Sequence, residues 1–205
     1  MSSDRRTRLT PDQRRAQLVA SGVAFLAERP LDDLTMEVLS ERVGVSRGLL
    51  FHYFGSRQGL HRDVVGTAAA ALLEASTPRE DLAASERLDD TLARIVAFVR
   101  EHRGTFFSLV RGVASGDPEV RREVDRARDV TAGWVTEGFL ELGVGDSPLL
   151  RVALRSWVNF TEEVLVELAL GTDRPAAEIV AFLSRSAFGV VASVTGDAVA
   201  STRPE

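Results

Sequence analysis

The side chains able to do chemistry gather between Thr35 and Arg57. Arg47, His52, Tyr53 and Arg57 supply hydrogen-bond donors within a short stretch, and no acidic residue occurs from Ser46 to Arg62. A guanidinium such as that of Arg47 can bond guanine O6 and N7 together, the commonest base-specific contact. Gly48 beside it carries no side chain, so the backbone can come close to base edges there. His52, Tyr53 and Arg57 can donate to phosphate oxygens, and so can the positive ends of helices that open at Ser46 and Ser56. This is a pattern for nucleic-acid recognition. Other chemistries lack their parts. The 205 residues include no cysteine, which removes a thiol nucleophile, a disulfide framework and a cysteine zinc site. His52, His61 and His102 have no H-x-x-x-H spacing, and Gly143-Val144-Gly145 has neither phosphate-loop nor dinucleotide-loop spacing. No catalytic residue, metal or cofactor is expected.

Positioning such groups takes a frame, and the periodicity supplies helices. Apolar residues recur at 3.6-residue spacing and no stretch alternates as a strand does, so the expected fold is all-α with about nine helices. Thr10-Pro11-Asp12-Gln13 reads as an N-cap, a proline at the first helical position and a capping box. The helix it opens buries Leu18, Gly22, Phe25 and Leu26 and stops before Pro30. Thr35 opens a short helix carrying Val38, Leu39 and Val43. Gly44 offers a left-handed stop, and Ser46 caps a helix with Leu50 and Phe54 one turn apart. Gly55 ends it and Ser56 caps a fourth. Two short helices joined by a glycine turn have the size of a helix-turn-helix, with Leu39, Val43, Val45, Leu50 and Phe54 as its small core. Arg47 then falls in the first turn of the second helix, where a recognition helix meets base edges. Such a helix pair is also common in all-α proteins generally, and the aromatic run Phe51-His52-Tyr53-Phe54 reads equally as packing, which is how Phe54 is assigned. Further helices are expected over 78–103, 105–114, 117–142, 147–171 and 173–196.

The charge is divided along the chain. Residues 1–62 hold ten arginines against seven acidic residues, and the remainder hold fifteen against twenty-three, which together give the net −5. All 25 basic residues are arginine, which composition bias explains more simply than selection for guanidinium forks. Residues 1–9 read as a flexible basic arm whose Arg5, Arg6 and Arg8 can reach a minor groove or lie along phosphates. The expected division is therefore an arm at 1–9, a helix-turn-helix DNA-binding domain at 10–62 and a long helical remainder at 63–205, to which the family resemblance described below assigns effector binding and dimerisation. No apolar run approaches a membrane span and no signal-peptide core is present, so a cytoplasmic chain without membrane contact is expected.

The stretch Leu39-Ser40-Glu41-Arg42-Val43-Gly44-Val45-Ser46-Arg47-Gly48-Leu49-Leu50-Phe51-His52-Tyr53-Phe54, with Thr35 before it and Ser56-Arg57-Gln58-Gly59-Leu60 after it, resembles the DNA-binding signature of the tetracycline-repressor (TetR) family of bacterial regulators. The resemblance covers about 50 residues, from Thr10 to Leu60. It implies that Thr35, Ser46, Arg47, Gly48, Phe51, His52, Tyr53 and Arg57 face DNA. Phe51 stands where the family usually has Tyr, which removes a hydroxyl and leaves stacking. Tyr53 stands for His, Arg57 for Lys, Ser40 and Val43 for Ala, and Pro30 for a common Gly.

For the rest, the resemblance implies a small-molecule effector and a homodimer built from the last two helices, about 147–170 and 175–196. Their apolar residues cover more than one stripe, as a second buried face requires. The large side chains Phe98, His102, Phe106, Phe107, Trp134, Phe139, Trp157 and Phe160 are candidates to line an effector pocket. Asn159 is a candidate to orient the ligand, as are Glu162 and Glu163, of which one is expected to be solvated. The expected function is a repressor released from a palindromic double-stranded DNA operator by its effector. Two alternatives stay open: a regulator that answers to a protein partner or activates, and a helical lipid- or small-molecule-binding module with no DNA role.

Overall fold

Side-chain caps start most of the helices. In the computed structural model, which describes residues 9–112 and 117–196, α1 spans Pro11–Leu26. Gln13 N–H donates to Thr10 Oγ1, and Thr10 N–H donates to Gln13 Oε1, closing the capping box. Arg5, Arg6, Arg8 and the tail from Asp197 lie outside the described residues. A single 3-10 turn at Leu31–Asp33 leads to α2, Met36–Val43, where Thr35 Oγ1 accepts from Val38 N–H. Gly44, at φ +70°, turns the chain into α3, Arg47–Phe54, capped by Ser46 through Leu49 N–H. α4, Arg57–Ser76, is capped by Ser56. The later helices are α5 Ala84–Glu101, α6 Arg103–Gly112, α7 Pro118–Glu141, α8 Pro148–Val164 and α9 Ala176–Thr195. That makes nine α-helices and no strand among the described residues.

Three boundaries differ from expectation. α5 begins at Ala84, six residues after Pro78. The proline leaves Thr77 extended, at ψ 122°, and residues 79–82 close a turn in which Leu82 N–H bonds the Arg79 carbonyl. Arg94 of α5 then donates to the carbonyls of Ala75 and Thr77, completing the end of α4. α6 begins two residues before Thr105, and its expected end at Ala114 lies outside the described residues. Finally, α8 passes into a π-helical segment at Leu165–Leu170, whose last carbonyl receives Arg103.

Two apolar cores result. One joins α1–α4 through Leu18, Leu39, Leu50 and Leu60 and takes Leu109 of α6 and Val120 and Val124 of α7. The other joins α5, α7, α8 and α9 through Val96, Phe139, Leu154 and Leu183. Leu72 of α4 packs against both, and α4 runs unbroken past residues 62 and 63. The α1 backbone lies against the Val64 side chain of α4 at Gly22, where a Cβ would lie 2.4 Å from Val64 Cγ2. α9 is long and apolar enough by length and composition to cross a membrane, contrary to the sequence expectation. The reason is packing: Ile179, Leu183, Ala187 and Val191 sit in the second core while Phe182 on the opposite side is exposed.

Candidate nucleic-acid interface and ligand cavity

Leu50 and Phe54 bury the inner side of α3, so its other side must face outward. Ser46, Arg47, Gly48, Phe51 and His52 are exposed there, Phe51 to 49%. Tyr53 is half-buried against the first core, its ring edge-on to that of His52 at 5.4 Å. Arg57 is exposed at the start of α4, and its guanidinium donates to the Asp32 carbonyl. Thr35 and Ser46 use their side-chain oxygens as caps, and the Thr35 hydroxyl also bonds the Glu37 carboxylate. Seven of these eight residues therefore share one surface around α3, and Tyr53 flanks it.

The acid-free run does not make this surface acid-free. Glu37, in the first turn of α2, lies 2.9 Å from Arg47 Nη1. The Arg47 bond holds the Glu37 carboxyl below its ordinary range. Sequence reading passed over Glu37 because it is ten positions away, and only the glycine turn brings the two helices together.

Behind the surface, His61 of α4 is buried and its Nε2 lies 2.7 Å from the Leu34 carbonyl. That carbonyl accepts only, so Nε2 carries the hydrogen. Burial pushes the imidazole pKa down, opposed by the Leu34 bond and assisted by nearby Arg57. Arg15 of α1 pairs with Asp63, and Arg62 pairs with both Asp63 and Glu119 of α7. The three helices are thus tied at one point.

A cavity of about 450 Å³ opens at the far end of α4. Ser76 and Thr77 form one side, Leu88 and Thr91 of α5 another, Trp134, Val135 and Phe139 of α7 a third, and Phe188 of α9 closes it. Of the candidate pocket residues only Trp134 and Phe139 line it. The others lie elsewhere, for identifiable reasons. Phe106 and Trp157 are in the core, the latter donating its indole N–H to Ser186 Oγ at 2.8 Å. The Phe98 ring lies 4.5 Å from that of His102, tilted by 52°, at the end of α5, with His102 exposed. Phe107, Asn159 and Phe160 face outward. Glu162 pairs with Arg128 at 2.6 Å in a largely buried bridge between α8 and α7, while Glu163 is the solvated member, paired with Arg111.

An apolar surface remains on the last two helices. Leu149 and Val152 of α8 are 61% and 63% exposed, and Phe160 and Phe182, 6.0 Å apart, are 42% and 41% exposed. A monomer gains nothing by showing water these side chains.

Two family models match the chain. One, described as bacterial regulatory proteins of the tetR family, covers residues 18–64. The other, a tetracyclin repressor-like C-terminal domain, covers residues 84–190, more than half the chain. Among characterised relatives, the HTH-type transcriptional regulator BetI of Agrobacterium fabrum is 38% identical over 79 residues, 35% of this chain. An uncharacterized HTH-type transcriptional regulator of Bacillus subtilis, YxbF, is 29% identical over 104 residues, 49% of this chain. The matched stretches span 38% and 27% of those two relatives. A tetR-family transcriptional regulator from Streptomyces coelicolor has a similar fold, with a TM-score of 0.75 at 24% identity over 91% of this chain and 85% of that one.

Proposed function

The chain belongs to the tetR family of bacterial regulatory proteins, and from that premise we propose that it is a non-enzymatic, cytoplasmic, homodimeric repressor. It grips a palindromic DNA operator and releases it when a small molecule enters the cavity beside α4. Residues 10–62 are the reading unit, and residues 63–205 bind effector and partner. The observation that carries this reading is the outward side of α3, a capped helix with a guanidinium in its first turn. Arg47 reads a guanine and Gly48 lets the backbone approach. Thr35, Ser46, His52, Tyr53 and Arg57 hold phosphates, and Phe51 stacks on the sugar-phosphate chain.

The exposed apolar side chains of α8 and α9 support a two-fold dimer, which sets two α3 helices about 34–36 Å apart for successive major grooves. α4 supports the coupling. It is 20 residues long, touches both cores through Leu72 and lines the cavity with its last residue, Ser76. An effector that prefers a different set of α4 changes the spacing of the two reading units, and so must bind the non-gripping state more tightly.

Selection of bound duplexes from a random library tests this directly. The expected product is a palindrome. Arg47→Ala should lose about 1–3 kcal/mol on that palindrome and little on random duplex; equal loss on both reassigns Arg47 to phosphate. The double change Val152→Glu with Phe160→Glu should give a monomer by sedimentation with weak half-site binding, and a monomer that keeps full operator affinity rules the dimer out.

A further inference from the structure

The cavity beside α4 is lined by charges of mainly one sign. Three glutamates, Glu80, Glu137 and Glu141, lie around its mouth against one arginine, Arg87. Arg87 is already engaged: it donates to both carboxylate oxygens of Glu141 and to the Leu82 carbonyl. Glu80 and Glu137 form no hydrogen bond among the described residues and both are exposed; Arg151, itself bonded to Asp146, lies within electrostatic reach of Glu137. The inner wall is different. Phe139 is buried there, and Phe188 meets it edge to face at 5.1 Å. Trp134 lines the same wall half-buried, with no hydrogen bond to its indole N–H among the described residues.

An apolar interior with two carboxylates free of hydrogen bonds at its mouth selects by charge. An anionic ligand would meet the glutamates and find the one guanidinium neutralised. A cation meets carboxylates at the mouth while its apolar body packs against the indole and phenyl rings inside. The volume lies in the range of sites for drug-sized molecules. We propose that this cavity takes an organic cation, an apolar or aromatic body ending in an ammonium group, with the body against Trp134 and Phe139 and the charge between Glu80 and Glu137. The inference rests on reading the cavity as the effector site, and it adds the class of effector.

Three probes share one body and differ in charge: phenylbutylammonium, phenylbutanol and phenylbutanoate. Calorimetric titration of the full chain should rank them cation, alcohol, anion, with the cation ahead of the alcohol by about tenfold. The double variant Glu80→Gln with Glu137→Gln should bring the cation down to the alcohol and leave the alcohol unchanged. Both residues are exposed and unbonded, so a thermal melt matching the parent confirms that folding is intact. An anion that binds as tightly as the cation overturns the proposal, and so does a cation preference that survives the double variant. Release of the selected operator by the same probes separates the two readings. A cation that binds as expected but leaves DNA bound upholds the ligand class and removes the effector role. An alcohol or anion that releases DNA while the cation fails to bind does the reverse.

Discussion

The reading unit and the body of this protein are built to different tolerances. In α1–α4 every helix has a side-chain cap, and the turn after α2 is set by a left-handed glycine. Gly59 shows how tight the joints are: a Cβ there would lie 2.1 Å from the Phe54 carbonyl oxygen. In the body, α5 and α9 have no side-chain cap, α8 relaxes into a π-helical segment, and a cavity of about 450 Å³ stands open. A DNA reader must hold its groups in fixed register, since a shifted guanidinium misses its base edge. A sensor of the proposed kind needs two arrangements close in energy, and the unfilled space and the uncapped starts of α5 and α9 would favour them. α6 also meets the reading unit closely, at Gly104, where a Cβ would lie 2.5 Å from the Ala27 carbonyl oxygen.

The contrast breaks most visibly in the cores. Leu50 is fully buried beneath α3, so Leu50→Ala should cost about 2–5 kcal/mol in chemical denaturation and weaken operator binding with it. Val135 lines the cavity, where its removal enlarges existing space instead of opening a new void. Val135→Ala should therefore cost less, below about 1.5 kcal/mol, and leave DNA binding intact. Equal losses at the two positions would show that the body is packed as tightly as the reader.

Legibility followed the same division. The caps at Thr10, Thr35, Ser46 and Ser56 and the stop at Gly44 were readable because each is a local device: each cap is a side chain bonding a backbone N–H three residues on, and the stop is a residue without a Cβ at positive φ. The outward side of α3 was readable for the same reason, once Leu50 and Phe54 fixed its inner side. What was not readable depends on distant partners. Arg47 meets Glu37 through a turn, and Arg94 finishes α4 from another helix. The pocket was least legible, because nothing local tells an aromatic residue in the core, such as Phe106 or Trp157, from one beside open space, such as Trp134. On α8 the apolar surplus was visible, but not which side chains make it up: Leu150 and Leu154 are buried while Leu149 and Val152 are exposed.

A smaller effect sits at the joint between the regions. The folded state holds His61 neutral, with its pKa lowered by burial, while the unfolded chain has the ordinary value of 6.5. Asp32 and Asp117 face the ring and oppose the shift, and Arg57 assists it. Below the unfolded pKa the unfolded chain binds a proton that the folded chain does not, so unfolding becomes easier as pH falls. Stability from this group is complete above about pH 6.5 and declines beneath it by at most about 1.4 kcal/mol per pH unit. Melting at pH 7.5 and 5.5 should show a steeper loss in the parent than in His61→Gln, which keeps a donor for the Leu34 carbonyl. Identical slopes would remove His61 from the pH response.

The smallest expected effect is at Glu37, and it tests whether the reader is tuned as well as rigid. An exposed ion pair holds its partners weakly, so Glu37 restrains Arg47 little and DNA can take the guanidinium away. Its carboxylate stays, however, at the surface proposed to meet phosphates, where it would repel every duplex alike. It also can accept from a cytosine N4 amine, which rewards only the right sequence. Glu37→Gln removes the repulsion and weakens the reward. Binding to random duplex should therefore rise by about two- to fivefold, with a salt slope steeper by about one, while operator affinity stays level or falls. The measured quantity is the ratio of the two affinities across a salt series. A ratio that rises in Glu37→Gln would mean the acid hinders the operator more than it hinders random sequence, and the tight surface around α3 would then be set by Arg47 alone.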